Sequence, residues 1–335
     1  MRQVFDDVPT APEAGAGGAR STDGIVDPTG ARAWFTLDRR SPSADLADVV
    51  GWYWVSHWNL GERSHVQPVI AHPVVNVVAE PHGFAAHGFV PGVDERRLTG
   101  HGVAVAAMLR PGAFAVLSGG ETLAPGPRAA PGMVARTLAA AVVLGPAADA
   151  VGAAAVEDGL ESRVDDAVAR LDDLLRPVVA ARRAAPAARR AWRDLELVTA
   201  AAEAARDAVG PGETVDVLAR HLAVSVRGLQ RAFERIVGVG PKWVLQRQRV
   251  HRAAELLAVD PAQDLAALAE DVGYYDQAHF TRDFVTATGT TPGAYARRCA
   301  ASLAALGPGR VADGGGPVRA GRGLGTVGAS PSART

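Results

Sequence analysis

One cysteine, Cys299, stands in 335 residues. That excludes an internal disulfide, a CxxC redox pair and a zinc site built from several thiolates, and it fits a reducing compartment. Neither sign of charge is in excess. With a formal net charge of −1 the chain is neither a polybasic nucleic-acid coat nor an acidic tail protein, so charge can inform only through local segregation. Long apolar runs are also missing. The most apolar stretch, "TLAAAVVLGPAADAVGAAAV" from Thr137, is cut by Gly145 and Pro146 and contains Asp149, which makes it a poor membrane span. The N-terminus holds Asp6 and Asp7 and no apolar core, unlike a secretory signal. GxSxG, P-loop and HExxH patterns are absent as well. These absences lead to the expectation of a cytoplasmic protein that is not an enzyme, does not enter a membrane and carries no cofactor or metal.

The length and the 48% hydrophobic content suit two domains with well-formed cores. Residues 1–31 are rich in Gly, Ala and Pro without periodicity, and a tail placed at 301–335 has nine glycines from 307 onward; both ends are expected to be disordered. From Trp34 to about Leu117 the chain reads as short extended runs: "AWFTLD", "GWYWVSHW", "HPVVNVVAE", "GFAAHGFV", "RRLTGHGVAVAAML" and "GAFAVL". A β-rich domain over 32–160 is expected. Trp52, Trp54 and Trp58 alternate with Tyr53, Val55 and His57, as on a strand with two unlike faces. Core filling is the first assignment for these tryptophans, and lining of an apolar ligand cavity is the second. Residues 161–183 change to helical period, with Val164, Val168, Leu171, Leu174 and Leu175 on one stripe until Pro177. The segment 161–190 reads as a helical linker or a dimerisation element.

Residues 191–300 read as a helical domain. A short helix, "ETVDVLARHLA", is followed by a tight turn and a second helix over 225–237, which Ser225 can cap. A longer helix from Pro241 leads to a repeat of the same pattern in "DLAALAEDVGYYDQAHFTRDFVTATG". Short helix, turn and a second helix with a polar outer face describe a helix-turn-helix, whose second helix enters the major groove. At about 100° per residue, Val226, Leu229, Phe233 and Ile236 share one side of 225–237, and Arg227, Gln230, Arg231 and Glu234 share the other. Arg can bridge guanine O6 and N7, and Gln can pair with adenine N6 and N7.

The stretch "DVGYYDQAHFTRDF" sets Asp276, His279 and Asp283 at spacings of three and four, as a helical metal or catalytic cluster would. The ligand context for either is missing. Asp276 sits where an N-cap belongs, Gly273 makes the turn, and Phe280 with Phe284 forms the apolar stripe, so the stretch reads as a second reading helix over 276–287. Charge separates the two units. Ser225 to Arg252 holds seven cations against Glu234, a net of +6; Ala253 to Asp283 holds seven anions against Arg282, a net of −6. The first unit and the connecting helix suit phosphates, and the second does not share that advantage.

These residues resemble the AraC/XylS family of transcription regulators over about 190–298: "LARHLAVSVRGLQRAFERIVGVGP" for the first unit, "RVHRAAELL" for the connector, and "LAALAEDVGYYDQAHFTRDFVTATGTTPGAYARR" for the second. The resemblance implies two reading helices in adjacent major-groove segments about 34 Å apart, which a connector of about 27 Å over 241–258 can serve. It implies contacts to DNA from Ser225, Arg227, Gln230, Arg231, Arg235, Lys242 and Arg249, and from Gln277, Ala278, Thr281 and Arg282. Ala278 departs from the pattern because it can meet a thymine methyl but cannot hydrogen-bond a base edge, so the second helix positions more than it specifies.

The family couples its DNA-binding domain to a sensor or dimerisation domain, often cupin-like. The implied fold class is therefore multidomain α+β, with a β-rich N-terminal domain before an all-α domain of two helix-turn-helix units. The segments "GWYWVSHWNL", "HPVVNVVAE", "FVPGVDERRLTGHG" and "AAMLRPGAFAVLSG" are similar to an uncharacterised N-terminal domain on some of these regulators. Implied partners are promoter DNA, a small-molecule effector, RNA polymerase and a second copy of the chain. Six histidines, His57, His65, His72, His82, His87 and His101, lie in the β-rich segment without the cupin metal spacing. Cys299, alone beyond the last helix, does not match the reactive and zinc-bound cysteines of the family's DNA-repair members. Two other readings stay open. One is a cupin-type metal-dependent enzyme or small-molecule-binding protein fused to a helix-turn-helix, and the other is an interaction module that has lost DNA binding.

Overall fold

The computed structural model describes residues 24–125 and 135–305. A short helix α1 (Pro28–Ala31) precedes β1 (Thr36–Arg40), the long β2 (Val50–Ile70), β3 (Asn76–Glu80), β4 (Gly83–His87), the long β5 (Val93–Leu109), helix α2 (Ala113–Ser118) and β6 (Thr137–Ala139). The strands form one antiparallel sheet in the order β1-β2-β5-β3-β4-β6. Helices α3 (Ala140–Leu144), α4 (Ala148–Leu160) and α5 (Val164–Ala184) follow, and α4 and α5 pack on one face of the sheet.

The alternation in β2 decides the faces. Tyr53 and Val55 turn toward the helices and are fully buried with Val103 and Val105, and the Tyr53 hydroxyl donates to Asp172 of α5 at 2.5 Å. Trp52, Trp54 and Trp58 therefore stand on the opposite face and do not fill the main core, contrary to expectation. The Trp54 indole donates to Asn76 at 3.1 Å and Trp58 to the Thr99 carbonyl at 3.0 Å, over a small floor of Val78, Ala104 and Ala106. A side chain at Gly102 would collide with the Trp58 ring.

The paired β2 and β5 are too long to lie flat. Ile70 pairs with Val93 and Asn76 with Met108, yet six residues of chain span about 21 Å at most, whereas a straight strand from 93 to 108 covers about 50 Å. The ribbon must double back. Its register breaks between Asn59 and Ser64, and Gly61 and Gly100 both sit at φ 60°, a backbone region open to glycine. The fold-back brings Arg96 and Asp94 of the ribbon within electrostatic reach of His87 on β4. The sheet is thus bent over itself, but β1 and β6 end the order and do not pair with each other among the described residues.

Three expectations are corrected. "GAFAVL" was expected as a strand; it forms α2, between left-handed Gly112 and Gly119, because a short buried apolar run reads alike in strand and helix. Residues 24–31 are ordered: Ile25 bridges to Val69, and Asp27 caps α1 and accepts from Ser302 at 2.6 Å. Residues 301–305 complete the last helix. Positions 1–23 and 306–335 lie outside the described residues.

After a 3₁₀ turn at Pro186–Ala188 come α6 (Arg189–Asp207), α7 (Val215–His221), α8 (Val226–Ile236), α9 (Pro241–Val259), α10 (Leu265–Asp271), α11 (Gln277–Thr288) and α12 (Pro292–Ala305). None of the described helices is long and apolar enough to cross a membrane. The apolar stripe of α5 packs into the sheet's core, which continues without a break through Phe114, Leu195 and Val198 to Leu229, Phe233 and Ile236 of α8 and Val244 and Leu245 of α9. A second core begins at Val250 and gathers Leu257, Leu268, Phe280, Phe284 and Tyr295, joined by Val26 and Ile70 from the N-terminal part. The two cores therefore meet inside α9.

Candidate nucleic-acid interface

The first reading helix is set by local signals. Thr214 caps α7 by accepting from the Val217 N–H at 3.3 Å, Ala223 takes a left-handed turn at φ 55°, and Ser225 caps α8 by accepting from Gly228 at 3.1 Å. Leu229, Ala232, Phe233 and Ile236 bury one side of α8. Arg227, Gln230, Arg231 and Glu234 stand exposed on the other, and none of the four has a side-chain partner among the described residues.

The remaining cations of this unit divide. Lys242, in the first turn of α9, is exposed. Arg235 turns back to α6 and holds Asp194 in a two-pronged pair at 2.9 and 2.8 Å. Arg249 donates to the Glu213 carbonyl at 2.6 Å and lies 5.7 Å from the Tyr274 ring centre. Arg247 is buried, donates to the Pro91 carbonyl and lies over Trp243, and burial pushes its guanidinium down to about 10. Three of the seven cations counted in the sequence thus serve the scaffold, and the Ser225 hydroxyl is engaged as a cap.

In the second unit Asp264 caps α10 through the Ala266 and Ala267 N–H groups at 2.9 and 2.8 Å, and Asp276 caps α11 through His279 at 2.7 Å. Gly273 makes the turn at φ 86°, where a side chain would strike the Gly210 carbonyl. Phe280 and Phe284 are fully buried. Gln277, Ala278 and Arg282 are exposed and Thr281 is half-buried. His279 and Asp283 lie 3.5 Å apart along one side of the helix. No group of three metal-capable side chains occurs among the described residues. Cys299 lies inside α12 rather than beyond the last helix; it is buried, and burial pushes its thiol up to about 11, which suits an inert packing role.

Tyr275, 96% exposed just before the α11 cap, was not anticipated. The signal was present: Tyr274, Phe280 and Phe284 already occupy the inward positions, which leaves the next aromatic facing water.

The sheet meets the helical part at several points. Phe89 packs on Trp243 at 5.5 Å, and His72, in the turn after β2, stacks on His251 of α9 at 3.9 Å with rings 10° from parallel. Burial, with His72, Arg247 and Arg206 nearby, holds the His251 imidazole well below its usual range, so it is neutral when folded. The unfolded chain takes up a proton below about pH 6.5, so the stability that rests on neutral His251 is present above that value and lost as pH falls. The expected loss is about 1.4 kcal/mol per pH unit in that range, read from urea melts at pH 7.5 and 5.5. His251→Phe, which keeps a stacking ring, should flatten the slope.

Residues 218–298 match the family model of a helix-turn-helix domain, and residues 38–122 match that of a domain of unknown function (DUF6597). No curated protein matches the chain. Among solved structures, the C-terminal domain of AraT, a response regulator from Geobacillus stearothermophilus, is 29% identical over 30% of this chain and 84% of its own, with a TM-score of 0.29. A probable AraC family transcriptional regulator from Rhodopseudomonas palustris CGA009 is 27% identical over 31% of this chain and 97% of its own, with a TM-score of 0.29. ToxT from Vibrio cholerae O395 is 9% identical over 80% of this chain and 98% of its own, with a TM-score of 0.36.

Proposed function

We propose that this chain is a DNA-binding transcriptional regulator with an AraC-type helix-turn-helix domain, and that its sequence preference resides mainly in α8. One observation carries the reading: Arg227, Gln230 and Arg231 are exposed without protein partners, whereas Arg235, Arg247 and Arg249 are tied into the scaffold. Arg227, Gln230 and Arg231 read base edges, and Lys242 meets a phosphate. Arg235 and Arg249 hold the unit's shape. The second helix seats the protein through Gln277, Thr281 and Arg282, with Ala278 against a thymine methyl and Tyr275 placed to donate its hydroxyl to the backbone. The regulator works in the compartment of the chromosome, has no enzymatic step of its own, and receives a small-molecule signal through its N-terminal half.

The test begins with genome-wide binding of the tagged chain, which supplies the operator, followed by gel-shift titrations over a range of salt. Lys242→Ala should weaken specific and random DNA alike and reduce the salt slope by about one phosphate contact. Absence of any salt-sensitive DNA binding would favour the interaction-module reading instead.

A further inference from the structure

A cavity of about 270 Å³ opens where the C-terminal end of α6, the middle of α9 and the turn after β2 meet. None of the reading residues lines it. Its wall includes Gln248, only 6% exposed, whose amide has no hydrogen-bond partner among the described residues. One turn on, His251 lines the same cavity, and its Nε2 is buried without a partner. Polar groups on a cavity wall of this kind are satisfied by water or by a polar ligand that displaces it.

Charge narrows the class. Arg206 and Asp207 line the cavity without an ion-pair partner among the described residues, beside Arg252 and Glu255, which pair with each other at 3.6 Å. A dicarboxylate would leave one carboxylate against Asp207, and a diamine would leave one ammonium against Arg206. A molecule carrying one charge of each sign matches Arg206 and Asp207 and leaves the Arg252–Glu255 pair intact. The volume lies just below the roughly 300–1,000 Å³ range of ordinary ligand pockets, which points to a small metabolite.

We propose that this cavity binds a small zwitterion of the amino-acid class, with its carboxylate toward Arg206, its ammonium toward Asp207, and Gln248 satisfied by its polar middle. The proposal deepens the effector reading above and rests on it for its regulatory meaning. Occupancy ties α6 and the connector α9 to His72 of the sheet domain, so a bound molecule favours one placement of the two reading units over others.

The experiment is calorimetric titration of the full chain with the twenty proteinogenic amino acids, and with the matching α-keto acids and amines as single-charge controls. At least one amino acid should bind, at least tenfold tighter than its keto acid and its amine. Arg206→Ala, at an exposed position that leaves folding intact, and Gln248→Leu should each weaken binding at least tenfold. Binding by no amino acid, equal binding by a single-charge control, or no effect of either variant would overturn the proposal. Gel shifts with and without the bound amino acid judge the regulatory role separately. Unchanged DNA affinity alongside calorimetric binding would leave the site standing and remove the effector reading.

Discussion

Alanine at Arg227, Gln230 and Arg231 together should lower affinity for the specific operator by at least a hundredfold while leaving binding to random DNA much less affected. Each lost base contact is worth about 1–3 kcal/mol, and about 1.4 kcal/mol is a factor of ten. The three side chains are exposed and make no hydrogen bond or ion pair among the described residues, so their removal should leave the fold intact. Arg282→Ala, on a helix whose outer face offers few polar groups and whose surroundings are acidic, should cost no more than about tenfold. Circular dichroism and a melting curve on each variant would establish that the fold survives. Equal losses from Arg231→Ala and Arg282→Ala in a salt-controlled titration would remove the asymmetry between the units.

Phe280→Ala should destabilise the second unit by about 3–5 kcal/mol, the usual cost of deleting a buried phenyl ring and leaving a cavity. Phe280 is fully buried, and its ring contacts Tyr274 at 5.4 Å and Phe284 at 5.5 Å; Phe284 in turn meets Tyr295 at 5.5 Å. The chain of rings joins the turn, the reading helix and α12. Because this core is separate from the one shared by the sheet and α8, unfolding of the variant should split into two steps, the lower one belonging to the second unit. Chemical denaturation followed by tryptophan fluorescence reports mainly on the first core, since every tryptophan lies at or before Trp243. Circular dichroism reports on both. A single coincident transition by the two probes would contradict the division.

The reading helices were legible almost to the residue because their limits are local. Ser225 and Asp276 mark each start by chemistry confined to one turn, and apolar residues at helical spacing mark the buried side. The duties of the arginines were not legible. A count of charge does not distinguish Arg231, which faces water, from Arg235, which meets Asp194 from a helix forty residues earlier, or Arg247, which meets a carbonyl in another domain. The two faces of β2 were visible in the alternation of Trp and Tyr, but which face lies inward depends on helices much later in the chain. "GAFAVL" failed for a different reason: six apolar residues between glycines carry no period that separates a strand from a buried helix. The cavity beside Gln248 comes from three distant segments and leaves no motif.

Because Ile236 of α8 lies against Gly112 and Phe89 against Trp243, the sheet and the first reading unit cannot be exchanged for one another's counterparts like beads on a string. A hybrid regulator joined at 161–190 would confront two surfaces that had never been fitted together, even though the chain there reads as a connector. Heritable change in the sheet and in the first helical unit is therefore coupled, and new N-terminal halves would arise by gradual remodelling of one body more readily than by shuffling of parts.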